Sequence, residues 1–350
     1  MTGALNLLPP DETGLEKICL FPEKLVSLNL NRTGADPLYP VSVELSLTSR
    51  CNLRCIWCSE LALRDRSPDL LTLGILENLF TELKQGGTRG VTIEGGGEPT
   101  LAPFFAEAAQ KAVDLGLQVG LISNGLNLFS LQTPESFYSI FQWIRISLDA
   151  SDRSDFASLK GRDGYDSVLA NLASLASLKG PTIGVGYVLT NRNDDPHKLL
   201  ALGQKLKEMK IAYFHLRPVV DHPALASNLN LNFLNTLNSP HFAVNMASMT
   251  HNRISGNDGL PCLAHSLATV ITADGAVWLC GRLGHDPQAE PLGYLTRETF
   301  RTLWHGRTRI SQTAMAASGD FCRGHCPPCR MTKYNRLLAR LALIRTRDFI

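Results

Sequence analysis

Between residues 41 and 220 the hydrophobic positions alternate between two spacings. Short runs rich in β-branched residues predict strands at 41–48, 90–99, 117–125, 143–150, 182–190 and 212–220. Apolar residues at helical spacing predict helices at 70–85, 104–116, 167–180 and 197–210. Because alternating strands and helices build parallel sheets with crossover helices, the pattern predicts an α/β fold.

Polar residues gather where the predicted strands end. They are Cys51 to Cys58, Gly95 to Glu98, Ser123 with Asn124, Asp149, and Arg217. In parallel α/β units the C-terminal ends of strands carry the functional groups, so these residues predict a site at one edge of the sheet. For Asp149 a helix cap or a loop carboxylate is an equal alternative.

Two shifts in composition predict the domain boundaries. A PLYP turn occupies 37–40, and a weakly patterned, Asn-rich stretch runs from about 222 to 260. The resulting division is an N-terminal extension at 1–40, a first domain at 41–240 and a second at 241–350. A chain of 350 residues suits about two domains.

Composition and charge are those of an ordinary folded protein, with 44% hydrophobic residues, 19% charged residues and a net charge of +2. A charge so close to zero gives no general attraction to nucleic acid. The chain has no stretch of 18 apolar residues and no signal-like start. We therefore expect a cytoplasmic protein with neither a membrane nor a nucleic acid as partner.

The nine cysteines are the unusual feature. Cys19 stands alone in an apolar setting and is predicted to be a buried thiol. The others form a triplet at 51, 55 and 58 and a late group at 262, 280, 322, 326 and 329. Thiols stay reduced in the cytosol, so close spacing there indicates metal binding or redox chemistry.

The triplet has the spacing Cys51-x3-Cys55-x2-Cys58 in the segment CNLRCIWC. Three thiolates on one loop can bind three irons of a [4Fe–4S] cube and leave the fourth iron open for a small molecule, whereas clusters normally take four cysteines. A zinc knuckle that lacks its fourth ligand is the alternative. The strand before the triplet and Trp57 before its last cysteine favour the cluster.

The triplet, Trp57 and the following GGGEPT together resemble the radical S-adenosylmethionine (SAM) superfamily over about residues 41–220. The resemblance implies a partial (β/α)6 barrel and a [4Fe–4S] cluster on Cys51, Cys55 and Cys58. It implies that SAM chelates the open iron and is cleaved to methionine and a 5′-deoxyadenosyl radical, which abstracts a substrate hydrogen atom. A reductant such as flavodoxin or ferredoxin would supply the electron.

The resemblance also implies cofactor-binding residues at the strand ends. For the methionine amino group these are Gly95, Gly96, Gly97, Glu98 and Pro99. Ser123 and Asn124 would line the ribose, with Ser147 and Asp149 at the next strand end. Arg217 would pair with the methionine carboxylate or a substrate anion. Strand 182–190 departs from the family's Gly-x-Ile-x-Gly form, which leaves the adenine contact open.

The late cysteines begin with Cys262-x12-Gly275-x4-Cys280, and ITADGAVWLCGR predicts a β-hairpin with its turn at Asp274-Gly275. CRGHCPPC adds Cys322, Cys326 and Cys329. A structural zinc site is the alternative, because thiolate spacing does not distinguish the metals. Together with the radical SAM resemblance of the earlier residues, this cysteine pattern resembles the shorter form of the SPASM/twitch extension. That resemblance implies one auxiliary [4Fe–4S] cluster on Cys262, Cys280, Cys326 and Cys329. Cys322 is then a spare ligand, a structural thiol or a hydrogen-atom donor.

After these cysteines, the segment 333–350 predicts an amphipathic helix with an apolar stripe at Leu337, Leu341 and Ile344 and a basic remainder. It would dock on the second domain. Its arginines could alternatively contact an acidic peptide or partner.

SPASM/twitch relatives mostly modify ribosomally made peptides by crosslinking, epimerisation or backbone excision, and this is the expected function. The alternative is a dehydrogenase, epimerase or decarboxylase of a sugar or aminocyclitol. A non-catalytic iron–sulfur or zinc protein would explain the late cysteines but not the triplet with GGGEP. Since about 40 residues precede the barrel, we expect peptide recognition to need a separate protein.

Overall fold

The computed structural model describes residues 15–31, 36–59, 61, 68–129, 133–220, 222–246, 260–281, 283–285, 289–318, 329 and 331–343. A ten-stranded sheet has the order β10-β9-β8-β1-β2-β3-β4-β5-β6-β7. Its strands are β1 (Ser42–Leu45), β2 (Gly90–Ile93), β3 (Gln118–Ser123), β4 (Trp143–Ser147), β5 (Thr182–Leu189), β6 (Tyr213–Pro218), β7 (Ala243–Met246), β8 (Ala268–Ile271), β9 (Ala276–Trp278) and β10 (Gly293–Tyr294).

Helices connect the strands. They are α1 (Pro22–Leu30), α2 (Leu73–Gln85), α3 (Phe105–Asp114), α4 (Arg153–Lys160), α5 (Tyr165–Ser177), α6 (Pro196–Glu208), α7 (Phe300–Trp304), α8 (Arg307–Ala317) and α9 (Thr332–Ala342). The Thr72 side chain accepts a hydrogen bond from the Ile75 amide and so caps α2. No helix in the described part of the chain is long and apolar enough to cross a membrane.

Strands β1 to β7 are parallel, and their alternate residues separate two faces of the sheet. Ile146, Val185 and Phe214 are in register on one face, where they are buried in the main hydrophobic core. Burying these side chains under the crossover helices is the main stabilising contribution. The predicted α/β fold with a partial (β/α)6 barrel is confirmed, and β7 adds a further parallel strand.

The C-terminal part of the chain returns to the same sheet. Strand β8 lies parallel to β1, and β9 pairs with β8 in antiparallel fashion. Gly275 in the connecting turn has φ +82°, which a glycine adopts without steric cost, and the predicted hairpin is therefore confirmed. The predicted domain boundary at residue 240 falls between β6 and β7, and the sheet continues across it.

The N-terminal segment packs against the C-terminal helices. A second hydrophobic cluster joins Ile18 and Leu28 to Leu338 of α9. A buried Lys24–Asp36 ion pair lies beside Arg309, whose guanidinium stacks 3.8 Å above the Trp304 ring. The prediction that Cys19 is buried is wrong: this thiol is exposed, because the short helix Leu15–Leu20 turns Ile18 inward instead.

Candidate active site

The three-cysteine loop follows β1 at the C-terminal edge of the parallel strands. The amides of Gly97 and Glu98 donate to the carbonyl oxygens of Thr48 and Arg50, at 2.9 and 2.8 Å. These bonds tie the turn after β2 to the start of the loop. All three sulfur-bearing residues, Cys51, Cys55 and Cys58, are half-buried.

Glycine is required in the turn after β2 because the loop approaches it so closely. A Cβ atom on Gly97 would overlap the Arg50 carbonyl, and one on Gly95 would overlap the Ser46 hydroxyl. Gly95 also has φ +96°, which disfavours a side chain. The amide of Gly96 donates to Ser46 Oγ at 3.1 Å. The predicted glycine cluster therefore lies directly against the cysteine loop.

Glu98 links this turn to the end of β3. Its side chain is 2% exposed, and its Oε1 accepts hydrogen bonds from the hydroxyls of Ser123 (2.7 Å) and Thr100 (2.8 Å). Its Oε2 accepts from the Asn124 amide at 2.7 Å. Burial raises the pKa of Glu98, and these hydrogen bonds oppose the shift. Both carboxylate oxygens are thus engaged by the protein itself. Pro99, also buried, begins the short helical turn that follows.

Asn124 connects β3 to the cysteine loop. Its side-chain amide donates to Asn52 Oδ1 at 2.7 Å and lies 3.9 Å from Cys51 Sγ. The residue is buried, and its Oδ1 accepts from the Leu126 amide, which fixes the orientation of the amide group. Asn124 therefore reaches the cysteine loop directly, while the Ser123 hydroxyl bonds to Glu98.

A third contact comes from α4, which the sequence patterns did not predict. The Arg54 amide donates to the Lys160 carbonyl (2.9 Å), and the Ile56 amide donates to the Leu159 carbonyl (3.0 Å). Cys55 thus lies opposite the C-terminal end of this helix. Two signals could have revealed α4: Asp152 caps it, and Gly161 ends it in the left-handed conformation.

Lys160 brings a buried positive charge to this point. Its ammonium group pairs with Asp149 Oδ2 at 2.8 Å, donates to the Ser147 carbonyl, and lies 5.3 Å from the centre of the Phe156 ring. Asp149 has φ 54° and also accepts from the Val188 amide at 2.7 Å. Ser147 and Asp149 are therefore joined to the cysteine loop through Lys160.

Burial raises the pKa of Cys55 to about 11, while the Lys160 charge lowers it. Loading a metal onto this thiol must therefore displace a proton. Trp57 lies half-buried in the turn between Cys55 and Cys58.

The polar face of the sheet is basic further along. The Arg145 side chain lies over Gly186, and its Cδ is 3.4 Å from the position that a Cβ atom on Gly186 would take. Gly186 is in register with His215 of the neighbouring strand. Burial and the charges of Arg145 and Arg217 lower the pKa of His215 to about 4. Arg217 is exposed near the C-terminal end of β6, and its charge acts on His215. Tyr213 fills the space over Gly184.

The late cysteines are described in part. Cys322 and Cys326 lie outside the described residues. Cys262 is half-buried, and its Sγ accepts a hydrogen bond from the Asn335 amide group at 3.6 Å. The Asn335 Oδ1 accepts from the amides of Leu263 and Ala264 at 2.9 and 2.8 Å, so its Nδ2 must face the sulfur.

Cys329 is exposed, and its Sγ accepts from the Met331 amide at 3.3 Å just before α9 begins. Cys280 is half-buried and packs against the main core. In α9, Leu338 is fully buried while Leu337 and Leu341 are partly buried, and Ile344 lies outside the described residues.

Among the described residues, no three His, Cys, Asp or Glu side chains are close enough together to bind a single metal ion.

The parallel sheet with a loop of three cysteines at its C-terminal edge defines an α/β protein. Residues 45–202 match the family model of the Radical SAM superfamily. This part of the chain is similar to a radical SAM domain.

Three curated relatives support this assignment. A Selenomonas ruminantium S-adenosylmethionine-dependent nucleotide dehydratase is 30% identical over 172 residues, which are 47% of this chain and 61% of that protein. Molybdenum cofactor biosynthesis protein 1 of Drosophila melanogaster is 33% identical over 175 residues, 48% of this chain and 30% of that protein. The PqqA peptide cyclase of Bradyrhizobium diazoefficiens is 36% identical over 89 residues, 25% of this chain and 23% of that protein.

The chain thus spans less than two thirds of each of these relatives. In fold, the chain is similar to Streptococcus suis SuiB in its complex with the precursor peptide SuiA, with a TM-score of 0.66, 17% identity, and coverage of 95% of this chain and 79% of SuiB.

Proposed function

We propose that this chain is a radical SAM enzyme that modifies a ribosomally made peptide. The observation that supports the proposal is the position of the three-cysteine loop. Contacts from the ends of β2 and β3 and from α4 hold this loop at the strand ends of a radical SAM domain. Such fixed support is what a pre-organised site requires.

Cys51, Cys55 and Cys58 fit a [4Fe–4S] cluster because they are three thiols on one loop at that edge. Bound there, the cluster and SAM supply the one-electron chemistry of the reaction. Asn124, 3.9 Å from Cys51 Sγ, can donate to the sulfur or to a ligand beside it. The residues Ser123, Asn124, Ser147 and Asp149 belong to the proposed SAM side of the site.

In this proposal Glu98 affects SAM binding indirectly, by orienting the glycine turn. Because its oxygens are engaged by Ser123, Thr100 and Asn124, it orients the turn of Gly95 to Gly97. The backbone carbonyls of that turn are then available to an ammonium group, and the carboxylate acts through them.

The C-terminal region is proposed to be a twitch-like domain with one auxiliary [4Fe–4S] cluster on Cys262, Cys280, Cys326 and Cys329. Two observations support thiolate chemistry there. Cys262 Sγ accepts from a fixed Asn335 amide, and Cys329 Sγ accepts from a backbone amide. Hydrogen bonds of this kind stabilise the charged form of sulfur.

A peptide substrate is supported by the PqqA peptide cyclase relative. The dehydratase relative favours a nucleotide as the second candidate. A flavodoxin or ferredoxin would act as the reductant, and a separate protein would recognise the peptide.

The substrate is tested by co-expressing the protein anaerobically with the short peptides encoded beside its gene, in H2O and in D2O. A crosslink lowers the peptide mass by two hydrogens, excision removes a backbone piece, and epimerisation adds one deuterium in D2O. Cys55→Ala is the matched control and should leave every peptide unchanged. Unmodified peptides together with conversion of nucleoside triphosphates by the purified enzyme would replace the first candidate with the second.

A further inference from the structure

Lys160 is a buried cation whose position is fixed from several sides. Its side chain is 1% exposed, and its ammonium group contacts Asp149 and the Ser147 carbonyl. Taking a lysine out of water is costly unless it is paired, so this pair has to be held in place by its surroundings. The Val188 amide and the left-handed backbone at Asp149 hold the carboxylate.

The same residue is part of the backbone contact to the cysteine loop. The carbonyls of Leu159 and Lys160 accept from the amides of Ile56 and Arg54, the two neighbours of Cys55. A shift of α4 would therefore move the Lys160 charge and Cys55 together. The distance between the cation and this cysteine is built into the fold.

Lys160 contacts the cysteine loop directly, because its carbonyl accepts from the Arg54 amide, whereas Asp149 is joined to the loop through its ion pair with Lys160. The positive member of the pair is therefore the residue attached to the loop beside Cys55.

We propose that Lys160, held by Asp149, is a positioning residue that raises the reduction potential of the cluster on Cys51, Cys55 and Cys58. This inference rests on the proposed function. Reduction adds one electron to the cluster and makes it more negative, so a fixed nearby cation stabilises the reduced form. Asp149 moderates the effect, because it partly offsets the charge of Lys160.

The two partners should consequently have opposite effects when each is neutralised. Lys160→Met removes the cation and should shift the potential to a more negative value. Asp149→Asn keeps an acceptor for the Val188 amide but removes the carboxylate charge, and should shift the potential to a more positive value. Lys160→Arg retains the charge and should restore most of the potential.

The measurement is an anaerobic redox titration of the reconstituted protein, followed by electron paramagnetic resonance. The signal that changes when SAM is added identifies the cluster in question. Lys198→Met is the matched control, because Lys198 pairs with Asp152 and Asp155 at the exposed start of α4. Its loss should leave the potential unchanged, since solvent screens exposed charges.

Shifts of the same sign in Lys160→Met and Asp149→Asn, or no shift in either, would overturn the inference. If Lys160→Met fails to fold or to retain iron, Asp149→Asn still decides the question: a shift to a more positive potential supports the inference, and a negative shift or none overturns it. A wild-type protein without any SAM-responsive cluster signal would instead refute the proposed function itself.

Discussion

At the scale of single residues, Glu98 places one carboxylate between three segments of the site. It accepts hydrogen bonds from Ser123 and Asn124 after β3 and from Thr100 in its own turn. In a buried position each donor left without an acceptor costs about 1–3 kcal/mol. Glu98 is therefore expected to support both stability and the shape of the glycine turn.

Glu98→Ala should lower the free energy of unfolding by about 2–6 kcal/mol, since it leaves two buried donors, the Ser123 hydroxyl and the Asn124 amide, without an acceptor at about 1–3 kcal/mol each. Urea unfolding of the cluster-free protein measures this loss. SAM binding by the reconstituted variant should weaken as well, because the turn is no longer oriented. Thr100→Val is the control: it removes one of the donors and should cost about 1 kcal/mol or less. Equal stability of the Glu98 variant and the wild type would contradict this role.

His215 makes stability depend on pH in a defined direction. Burial and the charges of Arg145 and Arg217 lower its folded-state pKa from 6.5 to about 4. A depressed pKa contributes stability above pH 6.5, and this contribution is lost as the pH falls toward 4. His215→Gln should therefore remove about 2 kcal/mol of the stability lost between pH 7.5 and 5. Denaturant unfolding at the two pH values checks this, and an identical loss in the variant would contradict it.

At the scale of elements, α4 supports the cysteine loop through its last turn. Gly161 has φ +80°, and a Cβ atom there would lie 3.3 Å from both the Cβ and the carbonyl oxygen of Arg54. The left-handed conformation and the close contact both require glycine. This one residue ends the helix and admits the loop.

Gly161→Ala should destabilise the fold and weaken iron retention, because it adds both backbone strain and crowding against the loop. Gly87→Ala is a matched control: Gly87 has φ +89°, and a Cβ atom there would have no neighbour within 4 Å, so the substitution adds strain alone. Strain of this kind costs about 1–2 kcal/mol. Unfolding free energies and iron content should rank Gly161→Ala below Gly87→Ala. The reverse order would show that α4 does not support the loop.

The sequence patterns predicted β1 to β6 and the helices α2, α3, α5 and α6, because each has a clear period of hydrophobic residues and many have glycine stops. They did not reveal α4, whose eight residues are mostly polar. Lys160 was missed with it, since no local pattern shows that a lysine becomes buried. Nor could the sequence show that both carboxylate oxygens of Glu98 accept hydrogen bonds from within the protein. Such facts depend on contacts between residues distant in the chain.

At the scale of the whole molecule, the hairpin between Cys262 and Cys280 joins the sheet next to the strand that leads into the three-cysteine loop. β1 leads into the three-cysteine loop, and β8 of the hairpin before Cys280 pairs directly with it. Glu44 of β1 is in register with Val270 of β8, which is in register with Trp278 of β9. The C-terminal hairpin is thus an extension of the barrel sheet.

Anaerobically reconstituted protein should therefore hold about eight irons per chain, and a Cys262→Ala/Cys280→Ala variant about four. The reason is that two cubes of four irons each would occupy the two separate groups of cysteines. Iron and zinc are both measured by elemental analysis. Zinc in the late cysteines of the wild type would replace the auxiliary cluster with a structural metal site.

The most direct test of the central claim is SAM cleavage by the reconstituted protein with dithionite, measured as 5′-deoxyadenosine released. The wild type should release it, and the Cys51→Ala/Cys55→Ala/Cys58→Ala variant should release none while keeping about four irons in the late group. Cleavage by that triple variant, or none by a wild type loaded with iron, would contradict the assignment of this loop as the site of SAM chemistry.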